Sequence, residues 1–229
     1  MGRITKPDSI DWDHVKSWIS FCGGGAHQNS GSNWKTPRQI SLLRMLAIDV
    51  HTACVSAIPQ SAEYVALSYQ WGTDQKLKLK IDNKARLETP GFFDTEGCQP
   101  SRTIVDAMEV VRRLGHRYLW VDALCIIQDS QEDLDQNVNM MDQIYYNAAL
   151  TIVAAAGVNA EHGLPGVSVA RTEHQIRTVV DGITIANMLE PAAGAITFSR
   201  WNTRGWTYQE RLLSKKLLTF TDSQVFYHC

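Results

Sequence analysis

Apolar positions fall into short blocks along the chain, and their spacing changes from block to block. Over residues 8–21, Ile10, Trp12, Val15, Trp18, Ile19 and Phe21 recur near helical spacing, which predicts a short amphipathic helix stopping at Gly23-Gly24-Gly25. Residues 26–37 are rich in Gly, Ser and Asn and read as a flexible loop. After the apolar run 42–50 comes Tyr64-Val65-Ala66-Leu67-Ser68-Tyr69, a short buried strand that delivers Ser68, Tyr69 and Trp71 to its carboxyl end. Leu77, Leu79 and Ile81 then alternate with Lys76, Lys78 and Lys80, the pattern of a half-exposed strand turning at Asp82-Asn83. That predicts an inserted hairpin whose basic face is a solvated edge.

From Ser101 the period becomes helical. Ile104, Ala107, Met108 and Val111 form one stripe, Thr103 and Asp106 fit a capping box, and Gly115 ends the element. Tyr118-Leu119-Trp120-Val121 reads as a strand. A second helix opens at Ser130 with Asp133 three residues on, turning Leu134, Val138, Met141, Ile144, Tyr145 and Ala148 inward. Residues 150–155 form the next buried strand, and Val179, Val180, Ile183 and Ile185 predict a second hairpin around Asp181-Gly182. A helix over 206–213 leads to strand-like runs at 216–220 and 225–227. Buried strands alternating with helices at this spacing imply an α/β fold, with right-handed crossovers and a parallel sheet flanked by helices.

With 229 residues, 44% of them hydrophobic, the chain can bury a full core. Lys plus Arg number 22 against 24 Asp plus Glu and are interspersed, so no basic stripe points to a nucleic acid or an anionic membrane. The longest strongly apolar stretch, Leu150 to Val158, falls far short of the roughly 20 residues of a membrane-spanning helix. The five cysteines (22, 54, 98, 125 and 229) contain no CxxC pair, and the N-terminus lacks the apolar core of a signal peptide. A reducing, cytoplasmic setting is expected. The chain stops directly after the apolar run 224–228, so a form truncated at its C-terminus is also expected.

Several chemistries find no support in the residues. Cys22 and His27 have no second pair at zinc-like spacing, so no metal is expected. The triple glycine lacks the Gly-Lys-Ser/Thr of a phosphate loop, and there is no GxSxG elbow. The run Arg204-Gly205-Trp206-Thr207-Tyr208-Gln209-Glu210 carries more. Trp206 and Glu210 are four apart, so on a helix the indole and the carboxylate share one face and can line one pocket. Such a wall suits a flat, cationic ring. Trp71, Gly72 and Asp122 also fall at strand ends, where open parallel sheets bind ligands. Each has a plainer alternative: the tryptophans as core packing, Glu210 as a solvated acid or one paired with Arg204 or Arg211, Asp122 as a helix cap. Cys125 reads as a small buried hydrophobe.

Three ordered blocks, 66–72, 119–129 and 204–213, together resemble the heterokaryon incompatibility (HET) domain of filamentous fungi. In the second block the family commonly carries Asn after Cys-Ile, where this chain has Ile127. The resemblance divides the chain into a helix and loop at 1–37 and a HET domain at 38–229. It implies a role in non-self recognition and programmed cell death. It also implies a fold similar to the Toll/interleukin-receptor (TIR) domain, a flavodoxin-like sheet, some of whose members cleave NAD. Trp206-Thr207-Tyr208-Gln209-Glu210 matches the Trp-Cys-x-x-Glu spacing of the TIR catalytic helix, with Thr207 replacing Cys.

On that analogy Glu210 is the candidate catalytic residue of an NAD glycohydrolase. Ser68, Tyr69, Trp71, Gly72, Asp122, Arg204 and Trp206 are the candidate substrate contacts. NAD would be substrate and not cofactor, and the active form a homo-oligomer, with a regulatory partner protein conceivable. The alternative is a non-enzymatic signalling module that works by self-assembly or partner binding.

Overall fold

In the computed structural model, residues 4–6, 8–23, 45–59, 61–73 and 76–229 are described. The glycine-rich loop at 26–37 and the boundary after 37 lie outside them. Two runs of β-branched and apolar residues, β3 (Tyr64–Ser68) and β5 (Leu150–Ala154), are buried along their whole length, as strands covered on both faces must be. They pair in parallel, Ser68 opposite Val153. On the far side of β3 lies parallel β4 (Tyr118–Trp120), and on the far side of β5 lies parallel β8 (Leu217–Phe220). The parallel core therefore runs second, first, third, fourth in chain order, the flavodoxin-like arrangement.

The edges of the seven-stranded sheet are antiparallel. β1 (Met45–Asp49) pairs with β4 and with β2 (Cys54–Ile58), and β9 (Val225–His228) closes the other edge on β8. The hairpin of β1 and β2 went unread in the sequence, because Ala53, at positive φ, supplies its turn without a Gly or Asn signal.

Helices follow the predicted stripes, with two revisions. Helix α1 (Trp12–Gly23) packs on β9 and on α3 (Arg102–Leu114), whose chain leaves through Gly115 at φ 82°. The Thr103–Asp106 pair does not cap α3. Thr103 Oγ1 accepts from Gly163 N–H, and Asp106 Oδ2 accepts from Leu164 N–H and Ser168 Oγ–H, so both side chains anchor the loop after β5. The single helix expected from Ser130 is two, α5 (Gln131–Val138) and α6 (Met141–Asn147), broken at Asn139-Met140. The Ser130 cap does form, through Asp133 N–H at 3.3 Å.

The lysine-rich run is a further correction, since no strand forms there. Leu79 is fully buried, donates its N–H to Ala123 O and accepts Gln128 N–H, and Asp82-Asn83 open a one-turn helix, α2 (Lys84–Leu87). Lys76 pairs with Glu161 at 3.0 Å and Lys78 Nζ lies 4.8 Å from the Trp71 ring centroid, so two of the lysines are engaged and not simply solvated. The second hairpin forms as expected, β6 (Arg177–Val180) with β7 (Ile183–Ala186), as a separate two-stranded sheet. Composition also gave no sign that Cys22 and Cys229 are joined by a disulfide tying α1 to the end of β9.

Candidate active site

Order reversal in a parallel sheet opens a crevice at the strands' carboxyl ends, here between β3 and β5, and the predicted residues collect there. The segment after β3 supplies Gln70, Trp71 and Gly72. Asp122 follows β4 and begins the one-turn helix α4 (Asp122–Cys125). Val158 and Asn159 follow β5, and Arg204, Trp206 and Glu210 come from the start and first turns of the helix Gly205–Leu213. Two adjoining cavities result. The outer, about 630 Å³, is lined by Gln70, Gly72, Asn159 and Arg200, among others, and the inner, about 190 Å³, by Ile126, Met141, Trp206 and Glu210. Trp71, Asp122 and Arg204 line both.

Glu210 is only 4% exposed, so it is not a solvated acid. It accepts a hydrogen bond from Ser68 Oγ, which itself accepts from Trp201 Nε1 at 2.7 Å. Among the described residues it makes no ion pair with Arg204 or Arg211. Burial raises its pKa above the ordinary carboxylate range, against the opposing effects of the Ser68 bond and the Arg204 charge.

Asp122 sits at the junction of the chambers. Trp71 Nε1 donates to both of its oxygens, at 2.9 and 3.0 Å, and Ala123 N–H donates to Oδ1 at 2.7 Å. Burial and the nearby Glu210 charge push it up to about 6, the three hydrogen bonds and Arg204 notwithstanding. Two acids of raised pKa thus face one small chamber.

The aromatic residues divide their roles. Trp206 is 51% exposed and shares the chamber wall with Glu210, as the four-residue spacing requires, so it is not core packing. Trp71 is half-buried, fixed by Asp122 at its N–H and covered by Lys78 on a ring face, so its chief task is to hold the acid. Ser68 and Tyr69 lie beneath the floor. Ser68 acts through Glu210, and Tyr69, 2% exposed, offers its carbonyl to Arg204. Gly72 has φ +76°, and a Cβ there would lie 2.6 Å from Asn159 Cβ, so glycine lets the β3 and β5 loops meet. Cys125 is buried and its thiol is pushed up to about 12, an inert core residue. Ile127 faces neither chamber: its side chain packs on the core and its N–H donates to Asp133 at 2.7 Å.

Arg200, Asn159 and Trp201 were missed, since none sits in a motif. Leu134, Val138 and Met141 were read as inward-facing core, and they form the apolar wall of the inner chamber. Among the described residues no cluster of three or more His, Cys, Asp or Glu could hold a metal ion, and no helix is long and apolar enough to cross a membrane.

These features define an α/β protein with a carboxylate-lined pocket at the switch point of a flavodoxin-like sheet. The family model for heterokaryon incompatibility protein (HET) matches residues 64–210, from the first residue of β3 to the buried glutamate, and the chain belongs to that family. Membership supports a role in heterokaryon incompatibility, that is, in non-self recognition. No curated protein and no solved structure matches the chain.

Proposed function

We propose that this HET domain cleaves the nicotinamide–ribose bond of NAD, with Glu210 as the catalytic carboxylate. The observation that carries the reading is the inner chamber itself, where Glu210 and Asp122 stand beside the exposed face of Trp206. A pyridinium ring is flat and cationic, and stacking on an indole contributes roughly 0.5–2 kcal/mol. As the C1′–N bond breaks, its electron pair goes to the ring, and nicotinamide leaves neutral without needing an acid. Positive charge then develops on the ribose, where a buried carboxylate stabilises it more strongly than water would. Water adds its oxygen to C1′ and gives up a proton, for which Asp122, pushed up to about 6, is a suitable acceptor near neutrality. The products are nicotinamide, ADP-ribose and a proton.

The test is nicotinamide release from NAD by purified protein at several concentrations, with Glu210→Gln alongside. Gln keeps an oxygen for the Ser68 hydroxyl, so the fold should survive while the rate falls on the order of 100- to 1000-fold. Equal turnover by the two proteins, or none by folded wild type at any concentration, rejects the reading.

One feature favours a second reading, a non-enzymatic module working by self-assembly. Among the described residues the β6–β7 hairpin is paired to no other strand, and Val180, Ile183 and Ile185 are 49%, 67% and 52% exposed on it. Such a ribbon is marginal on its own. A domain of this kind would tolerate Glu210→Gln in every signalling readout.

A further inference from the structure

The outer chamber carries charge of the opposite sign from the inner one. Arg200 and Arg204 stand on its wall, while the carboxylates of Asp122 and Glu210 gather at the inner end. Neither guanidinium makes an ion pair among the described residues. Arg204 is half-buried and held by the Tyr69 carbonyl, which leaves the rest of its fork of donors uncommitted. Arg200 is exposed at the mouth, and its side chain bonds to none of the described residues. Asn159 commits its Oδ1 to Glu161 N–H at 3.0 Å, so its amide NH₂ is the group still able to donate. Two guanidinium groups and an amide donor converge on one cavity with no carboxylate opposite them except Asp122 at the junction. Planar forks of this kind match phosphate oxygens in pairs, and two cations lining one cavity favour an anion there.

We infer that the outer chamber seats the phosphate groups of the substrate, gripped by Arg200 and Arg204, while the pyridinium end enters the inner chamber beside Trp206 and Glu210. The inference rests on the glycohydrolase reading and sharpens it. The substrate class becomes the phosphorylated pyridinium nucleotides, and the bare nucleoside is a poor substrate. Trp71, Asp122 and Arg204 line both chambers, so the two adjoin, with the arginines gathered on one side and the acids on the other. A cationic head next to an anionic tail fits it in one orientation only. Arg200 is then a specificity residue, touching the anion and not the bond that breaks.

Two measurements separate this proposal from the reading beneath it. Calorimetric titration with ADP-ribose, which keeps the diphosphate and has no pyridinium to lose, probes the outer chamber without turnover. Wild type should bind it, Arg200→Gln should weaken binding about 10-fold or more, and Arg200→Lys should restore part of the loss by returning a point charge. Equal affinity of wild type and Arg200→Gln, or no binding to wild type at millimolar ligand, overturns the inference. In turnover, Arg200→Gln should raise KM for NAD by a similar factor, and should lower kcat/KM on NAD far more than on nicotinamide riboside, which has no phosphate for the guanidinium to hold. An equal loss on NAD and riboside overturns it as well. Arg200-dependent binding of ADP-ribose by a wild type that releases no nicotinamide would reject the glycohydrolase and support the anion seat.

Discussion

Ser68 and Glu210 lie 142 positions apart and meet beneath the inner chamber, the serine hydroxyl donating to the carboxylate while it accepts the indole N–H of Trp201. This relay holds the charged form of an acid that burial works to neutralise. Ser68→Ala removes the only hydrogen bond among the influences that lower the Glu210 pKa. The pKa therefore moves further up, and the acid limb of the rate profile should move to higher pH. Leaving Trp201 Nε1 unsatisfied should also cost roughly 1–3 kcal/mol of stability. A pH–rate profile paired with a thermal melt checks both, and an unmoved acid limb would separate Glu210 from the reaction.

Asp122 makes the folded state sensitive to pH in a definite direction. Its pKa rises from 3.8 to about 6 on folding, so its contribution to stability is fully present below about 4 and is lost as pH rises through about 6. Above that, the ionised group opposes folding by on the order of 1–3 kcal/mol. Asp122→Asn keeps an oxygen for Trp71 Nε1 and removes the charge. The variant should melt higher than wild type at pH 8, with the difference shrinking towards pH 4.5. Equal gains at both values would show that Asp122 is not held under this strain.

The sequence disclosed the site's motifs far better than its walls. Trp206 and Glu210 were legible because a four-residue spacing on a helix dictates a shared face whatever the tertiary context. Asp122 and Trp71 were placed by strand ends, a rule about parallel sheets, and their mutual hydrogen bonds followed from β3 and β4 being neighbours. Arg200 and Asn159 carried no such signal, because they reach the cavity from irregular segments whose path depends on the whole fold. The lysine run misled for a related reason. Alternation predicted a strand, but burying Leu79 on the backbone at 123–128 satisfied the same pattern without a partner strand. The Thr103–Asp106 pair looked like a cap, and tertiary contacts with residues 163–168 claimed both side chains instead.

Gly72 gives the sharpest test of how the cavity is shaped. A side chain there suffers twice, from φ +76° and from Asn159 Cβ at 2.6 Å. Gly72→Ala should lower stability by about 1–3 kcal/mol and disturb the wall that carries Asn159. Asn159→Gly removes the clash and leaves the dihedral strain, at the separate cost of the Glu161 N–H bond, so Gly72→Ala should lower the melting temperature less in the Asn159→Gly background than in wild type. An equal loss in both backgrounds would mean that contact between these loops is not what glycine provides.

The β6–β7 hairpin is where the catalytic and assembly readings join. Val180 pairs with Ile183 and Thr178 with Ile185, so these four side chains share one face of the ribbon, and among the described residues no other strand covers its edges. Three exposed β-branched apolar residues on an unpaired edge favour addition of another strand, and in a homo-oligomer the nearest source is the same hairpin of a second copy. Charging the face with Ile183→Lys and Ile185→Glu should leave the fold and its melting temperature nearly unchanged, since neither side chain enters the main core. Sedimentation should then show wild type associating with rising concentration and the double variant remaining monomeric. If assembly completes the active form, specific nicotinamide release should climb with wild-type concentration and stay flat for the variant. Concentration-independent monomers of wild type would remove the hairpin from any assembly role and leave the pocket to act alone.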